Sequence, residues 1–150
     1  MSFQEKNITA SLVNFTLILG FFLISLFQMV QGGHLTSEYV FRLWGIVAIL
    51  ATVGTVAIII FTHIASGVIH TMKTSEEPHI KGIQDERDTF IELKGTNIAY
   101  RVSSIGVALS MLTLVFGQQP LVMFNLLIFF GVVAQIIADI SRLYFYRRGF

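Results

Sequence analysis

The chain has 150 residues, 54% of them hydrophobic and only 13% charged, with a formal net charge of +1. A soluble domain carries about 25% charged residues, so this composition excludes an ordinary soluble fold and points to a bilayer. No cysteine is present, which excludes disulfides, thiolate metal sites and the quinone-linked thiol oxidoreductases found among small four-helix membrane proteins.

Four apolar runs follow in order, making one membrane domain over 1–150. Span one covers about 8–30 and carries no charge. Some 20 apolar residues suffice to cross the hydrocarbon core. The run is too long for a signal-peptide core of about 7–15 residues, and no small-x-small cleavage site follows it. Gln31, Gly32, Gly33 and His34 form a turn, and Tyr39 and Trp44 stand where an interfacial aromatic belt belongs. Span two covers about 45–69. Its Val and Ile content would suggest a strand in water, but a lone strand cannot satisfy its backbone in lipid.

The polar connection covers 71–96. Pro78 disfavours helix at Glu77. Asp85 then stands as a helix N-cap, with Glu86 and Asp88 in the first turn, where the helix dipole favours acids. Nothing from Asp85 to Gly117 reads as a helix stop, so one helix is expected to rise from water into the bilayer, with span three at about 97–116. A tight turn at Gly117 and Pro120 leads to span four at about 121–140. Residues 141–150 read as an aromatic and basic interfacial tail. The fold class is all-α, an integral membrane four-helix bundle with short extracytoplasmic turns.

Each span has a face of small or polar residues. Span three carries Ser103, Gly106, Ser110, Thr113 and Gly117, a heptad seam. Span two offers Ala48, Thr52, Thr55, Thr62 and Ser66; span one Ser11, Asn14, Ser25 and Gln28; span four Gly131, Gln135, Ala138 and Arg142. Lipid gives no hydrophobic drive for helix association, so close approach over small residues matters. Such seams serve packing within one chain or pairing between copies.

Helical rise of about 1.5 Å per residue sets Asn14, His63, Arg101, Gln135 and Asp139 at one broad level, a candidate intramembrane polar layer. Arg101 and Asp139 come out at matching depths on helices joined by a short turn, and the expectation is that they pair. The plainer reading has Arg101 reaching the headgroups and Asp139 neutralising Arg101 or Arg142.

Other chemistry is poorly supplied. His63 and His70 share one helix about 10 Å apart, which cannot bracket a haem iron. There is no His-Glu-x-x-His, Gly-rich phosphate loop or nucleophile elbow. A small proton-coupled exporter would want a carboxylate deep in span one, which has none. No enzyme activity, no catalytic residue, no metal site and no cofactor are expected.

The run Asp85-Glu86-Arg87-Asp88-Thr89-Phe90-Ile91-Glu92-Leu93-Lys94 resembles the Asp-Glu-Arg-Asp-x-x-Ile-x-x-Lys signature of an uncharacterised prokaryotic four-span family, a domain of unknown function. The end Tyr146-Arg147-Arg148-Gly149 and the opening Ser2-Phe3-Gln4-Glu5-Lys6 are similar to that family's too, while Gly95 stands where the family has Ala. The resemblance implies a prokaryotic cytoplasmic (inner) membrane and a regulatory or accessory role. Asp85, Glu86, Arg87, Asp88, Glu92 and Lys94 are then candidate partner-binding residues for a cytoplasmic protein. Their plainer reading is a well-capped helix start. The alternative function is a homo-oligomeric transporter or channel using the polar layer. Besides lipid and these partners, no direct nucleic-acid contact is expected.

Orientation follows from the bias of Lys and Arg toward the cytoplasm. Of ten such residues, only Arg42 falls opposite Lys6, Lys73, Lys81, Arg87, Lys94 and the rest. Both termini are therefore expected inside. A reporter active only in the cytoplasm should work when fused after Phe150; activity there of an export-dependent reporter instead would overturn the topology.

Overall fold

The computed structural model describes residues 3–33, 35–73 and 86–148, and the side chains of Phe3, His63 and 65–73 lie outside that description. The expected cap at Asp85 and the turn at Pro78 lie outside it as well. Four helices make up the described chain: α1 (Phe3–Gln31), α2 (Ser37–Lys73), α3 (Glu86–Val115) and α4 (Pro120–Arg148). Each is long and apolar enough to span a membrane. The protein is therefore an all-α, four-helix, multi-span membrane protein.

Local chemistry sets the boundaries. Gly33 closes α1 at φ 66°, a left-handed conformation that costs glycine little. The Thr36 carbonyl accepts the first bond of α2, from the Val40 N–H at 3.1 Å. At the end of α3, Gly117 takes φ 74°. Its N–H donates to the Leu114 carbonyl at 3.0 Å, and the Gln118 N–H to that of Thr113 at 3.0 Å. That pair of bonds is the Schellman cap, which satisfies carbonyls left over at a helix end. Pro120 then opens α4, at a first-turn position where its missing N–H costs nothing.

The helices run past the apolar spans. α3 begins at Glu86 and continues unbroken into the bilayer-length run, as expected for a helix rising from water. α4 does not stop near Ile140: it carries the basic aromatic tail as helix to Arg148. The basic and aromatic residues 141–148 are therefore part of α4. Nothing in that stretch breaks a helix, since it holds neither proline nor, before Gly149, glycine.

α4 is the hub. It packs along both α3 and α1 and touches α2, while α1 also packs on α2. The α3 backbone approaches α4 and no other helix among the described residues. The apolar core comes from three helices: Ile18 and Phe22 of α1, Leu43 and Val47 of α2, Ile128 and Val132 of α4. α3 adds none of these. It lies on α4 through a face that buries Ile91, Gly95, Gly106 and Ser110.

The small-residue seam of span three is thus used within the chain, at least at Gly106 and Ser110. A Cβ built on Gly106 would collide with Cβ and Cγ of Phe130. Ser110 is fully buried and returns its hydroxyl to the Gly106 carbonyl at 2.7 Å. Gly131, by contrast, has open space where a Cβ would go. Overpacking costs about 1–3 kcal/mol, while Gly→Ala in an open helix position gains up to about 1 kcal/mol. Gly106→Ala should therefore lower the stability of the bundle in detergent, and Gly131→Ala should leave it unchanged or raise it. Equal effects at the two positions would refute the close α3–α4 contact.

Candidate functional site: a buried ion pair beside a polar cavity

Asp139 is 1% exposed. It sits on α4 among apolar neighbours because the helix turns Ala134, Ala138 and Asp139 inward together. A carboxylate so placed needs donors, since an unpaired buried charge is costly. Three helix-borne groups supply them. Ser11 Oγ of α1 donates to Oδ2 at 2.7 Å. Gln135 Nε2, one turn earlier on α4, donates to Oδ1 at 3.2 Å. Arg142 Nη1, one turn later, makes an ion pair with Oδ1 at 2.8 Å.

Arg142 also ties in α3. Its Nη2 donates to Thr96 Oγ1 at 3.1 Å. To get there the side chain crosses Gly95, where a Cβ would stand 2.5 Å from Arg142 Cγ and 2.6 Å from Nε. No side chain fits at that distance, so glycine at 95 is what lets the guanidinium pass. The cost is visible too: Arg142 Nε is buried with no hydrogen-bond partner.

Beside this cluster is a partly open cavity of about 200 Å³. α1 lines it with Gln4, Asn7 and Ser11, and α4 with Gln135, Asp139, Arg142 and Tyr146. Glu92 and Ile91 come from α3, and Thr55, Ile58 and Ile59 from α2. Four helices therefore meet at one cavity, although α3 approaches only α4 by backbone. On that wall Asn7 Oδ1 is buried with no partner.

Beside the cavity, α3 and α4 are clamped. Tyr146 Oη donates to Asp88 Oδ1 at 2.8 Å, and Arg87 Nη2 to the Tyr146 carbonyl at 3.3 Å. Lys94 Nζ lies 4.5 Å from the Phe90 ring centre and 5.1 Å from that of Phe145, within cation–π range.

The expected polar layer is assembled in part. Gln135 and Asp139 are bonded to each other. Asn14 is at the α1–α2 contact, 2.5 Å from where a Cβ on Gly54 would be, with Nδ2 unpartnered. The His63 side chain lies outside the described residues. The Arg101–Asp139 pair is not formed: Arg101 is exposed, and Asp139 takes Arg142 instead. Arg101 points away from the face that α3 gives to α4. Of the candidate partner-binding residues, Arg87, Asp88 and Lys94 contact the chain's own C-terminal turn, Glu92 lines the cavity, and Glu86 is exposed.

Asn7, Thr96 and Gly95 were missed as site residues, while Arg142 was named as one of two partners for Asp139 and is the one used. The signal was present in the spacing Gln135, Asp139, Arg142, which puts all three on one helix face. Among the described residues no three His, Asp or Glu side chains gather as metal ligands.

Compared with family models, with curated proteins and with solved structures, the chain finds no match. The likeness of residues 85–94 to a four-span family therefore identifies no family, and the function must be argued from the site.

Breaking a buried ion pair by removing one partner costs about 3–5 kcal/mol. Arg142→Leu should destabilise the bundle on that scale in detergent unfolding, and adding Asp139→Leu should restore part of the loss. Arg101→Ala and Asp139→Ala should add within about 0.3–0.5 kcal/mol, the limit for independent sites. Strong coupling of Asp139 to Arg101 rather than to Arg142 would reverse the assignment.

Proposed function

We propose that this protein is a membrane-embedded regulatory or accessory protein that binds a small polar ligand in the Asp139 cavity. The observation that carries the reading is the cavity itself: about 200 Å³, walled by all four helices and floored by a fixed ion pair. Preformed concave sites with a few convergent polar groups are where small ligands bind. Glu92 and Tyr146 line the cavity next to the α3–α4 clamp, so occupancy has a direct route to residues 86–94. On the topology expected from the basic residues, that stem faces the cytoplasm of a prokaryotic inner membrane, where a partner protein would read it.

The proposal is binding without chemistry. Asp139 is held by three donors, which suits a fixed anchor and ill suits a base that must exchange protons. The runner-up, transport or conduction, meets a barrier within the chain. Ile18 lies seven residues beyond Ser11, and Val132 seven before Asp139, about 10 Å deeper by helical rise. There the packed core of Phe22, Leu43, Val47 and Ile128 closes the bundle.

Thr55→Phe fills the cavity without touching the ion pair. A ligand at 100 times its Kd stabilises a protein by about 2.7 kcal/mol. A screen of small polar solutes against the detergent-purified chain should find thermal stabilisation that Thr55→Phe abolishes. Steady flux of the same solutes through proteoliposomes, unaffected by Thr55→Phe, would sink the binding reading.

A further inference from the structure

The outer face of α3 carries a charge for which the chain supplies no counterpart. Arg101 is exposed and makes no hydrogen bond or ion pair among the described residues. The buried carboxylate that could have met it, Asp139, is taken by Arg142. Arg101 nevertheless belongs to a helix long and apolar enough to span the membrane, sixteen residues before the turn at Gly117. At about 1.5 Å per residue that separation is about 24 Å, less than the hydrocarbon thickness of about 30 Å. With Gly117 at one boundary, Arg101 stands inside the other by about one helical turn. A charge there is costly, and a long side chain lowers the cost by carrying its head to the phosphates.

The neighbours of Arg101 make the spot a cluster of donors. Asn97 lies four residues before it and Ser104 three after, both on its face of the helix. Tyr100 is one turn from each of them. All three are exposed, and none has a hydrogen-bond partner for its side chain among the described residues. They add an amide and two hydroxyls to the five N–H groups of the guanidinium. No acid stands among the four. Toward Gly117 the same face continues through Ile105, Ala108 and Leu112, all exposed.

We propose that this face holds an anionic phospholipid, with its phosphate on Arg101 and the donors around it and an acyl chain along Ile105, Ala108 and Leu112. A guanidinium meets a phosphate with two parallel N–H···O bonds, which fixes direction as well as charge. A zwitterionic lipid brings its own cation to its phosphate. A lipid of net negative charge leaves that charge for Arg101. A second copy is a poorer occupant. Two copies paired symmetrically in one membrane share a two-fold axis along its normal, so contact over this face would set Arg101 against Arg101 at one depth. The site is separate from the Asp139 cavity, which Arg101 does not line.

The test uses the full chain in a non-ionic detergent, titrated with phosphatidylglycerol or phosphatidylcholine and read by native mass spectrometry as lipid bound per chain. Phosphatidylglycerol should bind about tenfold more tightly or better, the worth of hydrogen bonds to a charged group. Arg101→Gln should remove that preference. Its unfolding temperature without lipid should match that of the unaltered chain, because the side chain has no hydrogen bond or ion pair to lose. Arg148→Gln removes another exposed cation and should leave the preference intact. Equal loss in the two variants means diffuse attraction to basic residues and overturns the site, as does equal affinity for the two lipids. Displacement of the lipid by inorganic phosphate at equal concentration assigns a free anion and overturns the lipid as occupant. The chain has no cysteine, so Ile105→Cys reports on a second copy. Efficient disulfide formation between copies in phosphatidylglycerol membranes overturns the lipid, and a thiol that stays free supports it.

Discussion

The structure turns on a carboxylate placed where water cannot reach it. The Asp139 side chain is 2% exposed and that of Arg142 16%. Removing an ion from water costs several kcal/mol even after relaxation, so the surrounding helices must be spaced to return that energy. Ser11 fixes the distance of α1 from α4. Arg142 fixes α3, because its only route to Thr96 lies over Gly95. A single ion pair thus sets the separations of three helices at one end of the bundle.

The other end is held by different means. Ile18, Phe22, Leu43, Val47, Ile128 and Val132 interdigitate there. In lipid such contacts gain little from leaving the solvent, which is as apolar as they are; they gain from van der Waals fit. α3 does not take part and depends on close approach over Gly106 and on the polar contacts of its first three turns. Two sorts of cohesion therefore divide the molecule: fit among α1, α2 and α4 at the apolar end, ions and hydrogen bonds at the polar end. The cavity lies in the polar part, where the walls are fixed by directional bonds.

How far this could be read from the sequence depends on which coordinate is asked for. The number and kind of elements were legible: the lengths of the apolar runs imply four helices, and four are observed. Rotation about each helix was not. At 3.6 residues per turn, Arg101 lies about 130° round α3 from the centre of the face that buries Ile91, Gly95, Gly106 and Ser110. Its direction does not meet Asp139. The partner actually used is Arg142, one of the two that the sequence offered for Asp139. Once α4 is followed to Arg148, the i,i+3 spacing of Asp139 and Arg142 is the shorter route to a neutral pair.

The two most charged stretches lie against one another. Residues 86–94 looked like a surface for another protein, and residues 144–148 like an anchor in the headgroups. In the fold they are largely each other's partner: Asp88 with the Tyr146 hydroxyl, Arg87 with the Tyr146 carbonyl, Lys94 with Phe145. Charge left on the outside of that clamp, as at Glu86, is what a second protein would meet. The inside of the clamp is the rim of the cavity, since Tyr146 and Glu92 both line it. A ligand between the ion pair and this clamp would touch two of the interactions that attach α3 to α4. Among the described residues the α3 backbone approaches only α4. α3 is therefore the helix whose position the cavity is best placed to bias.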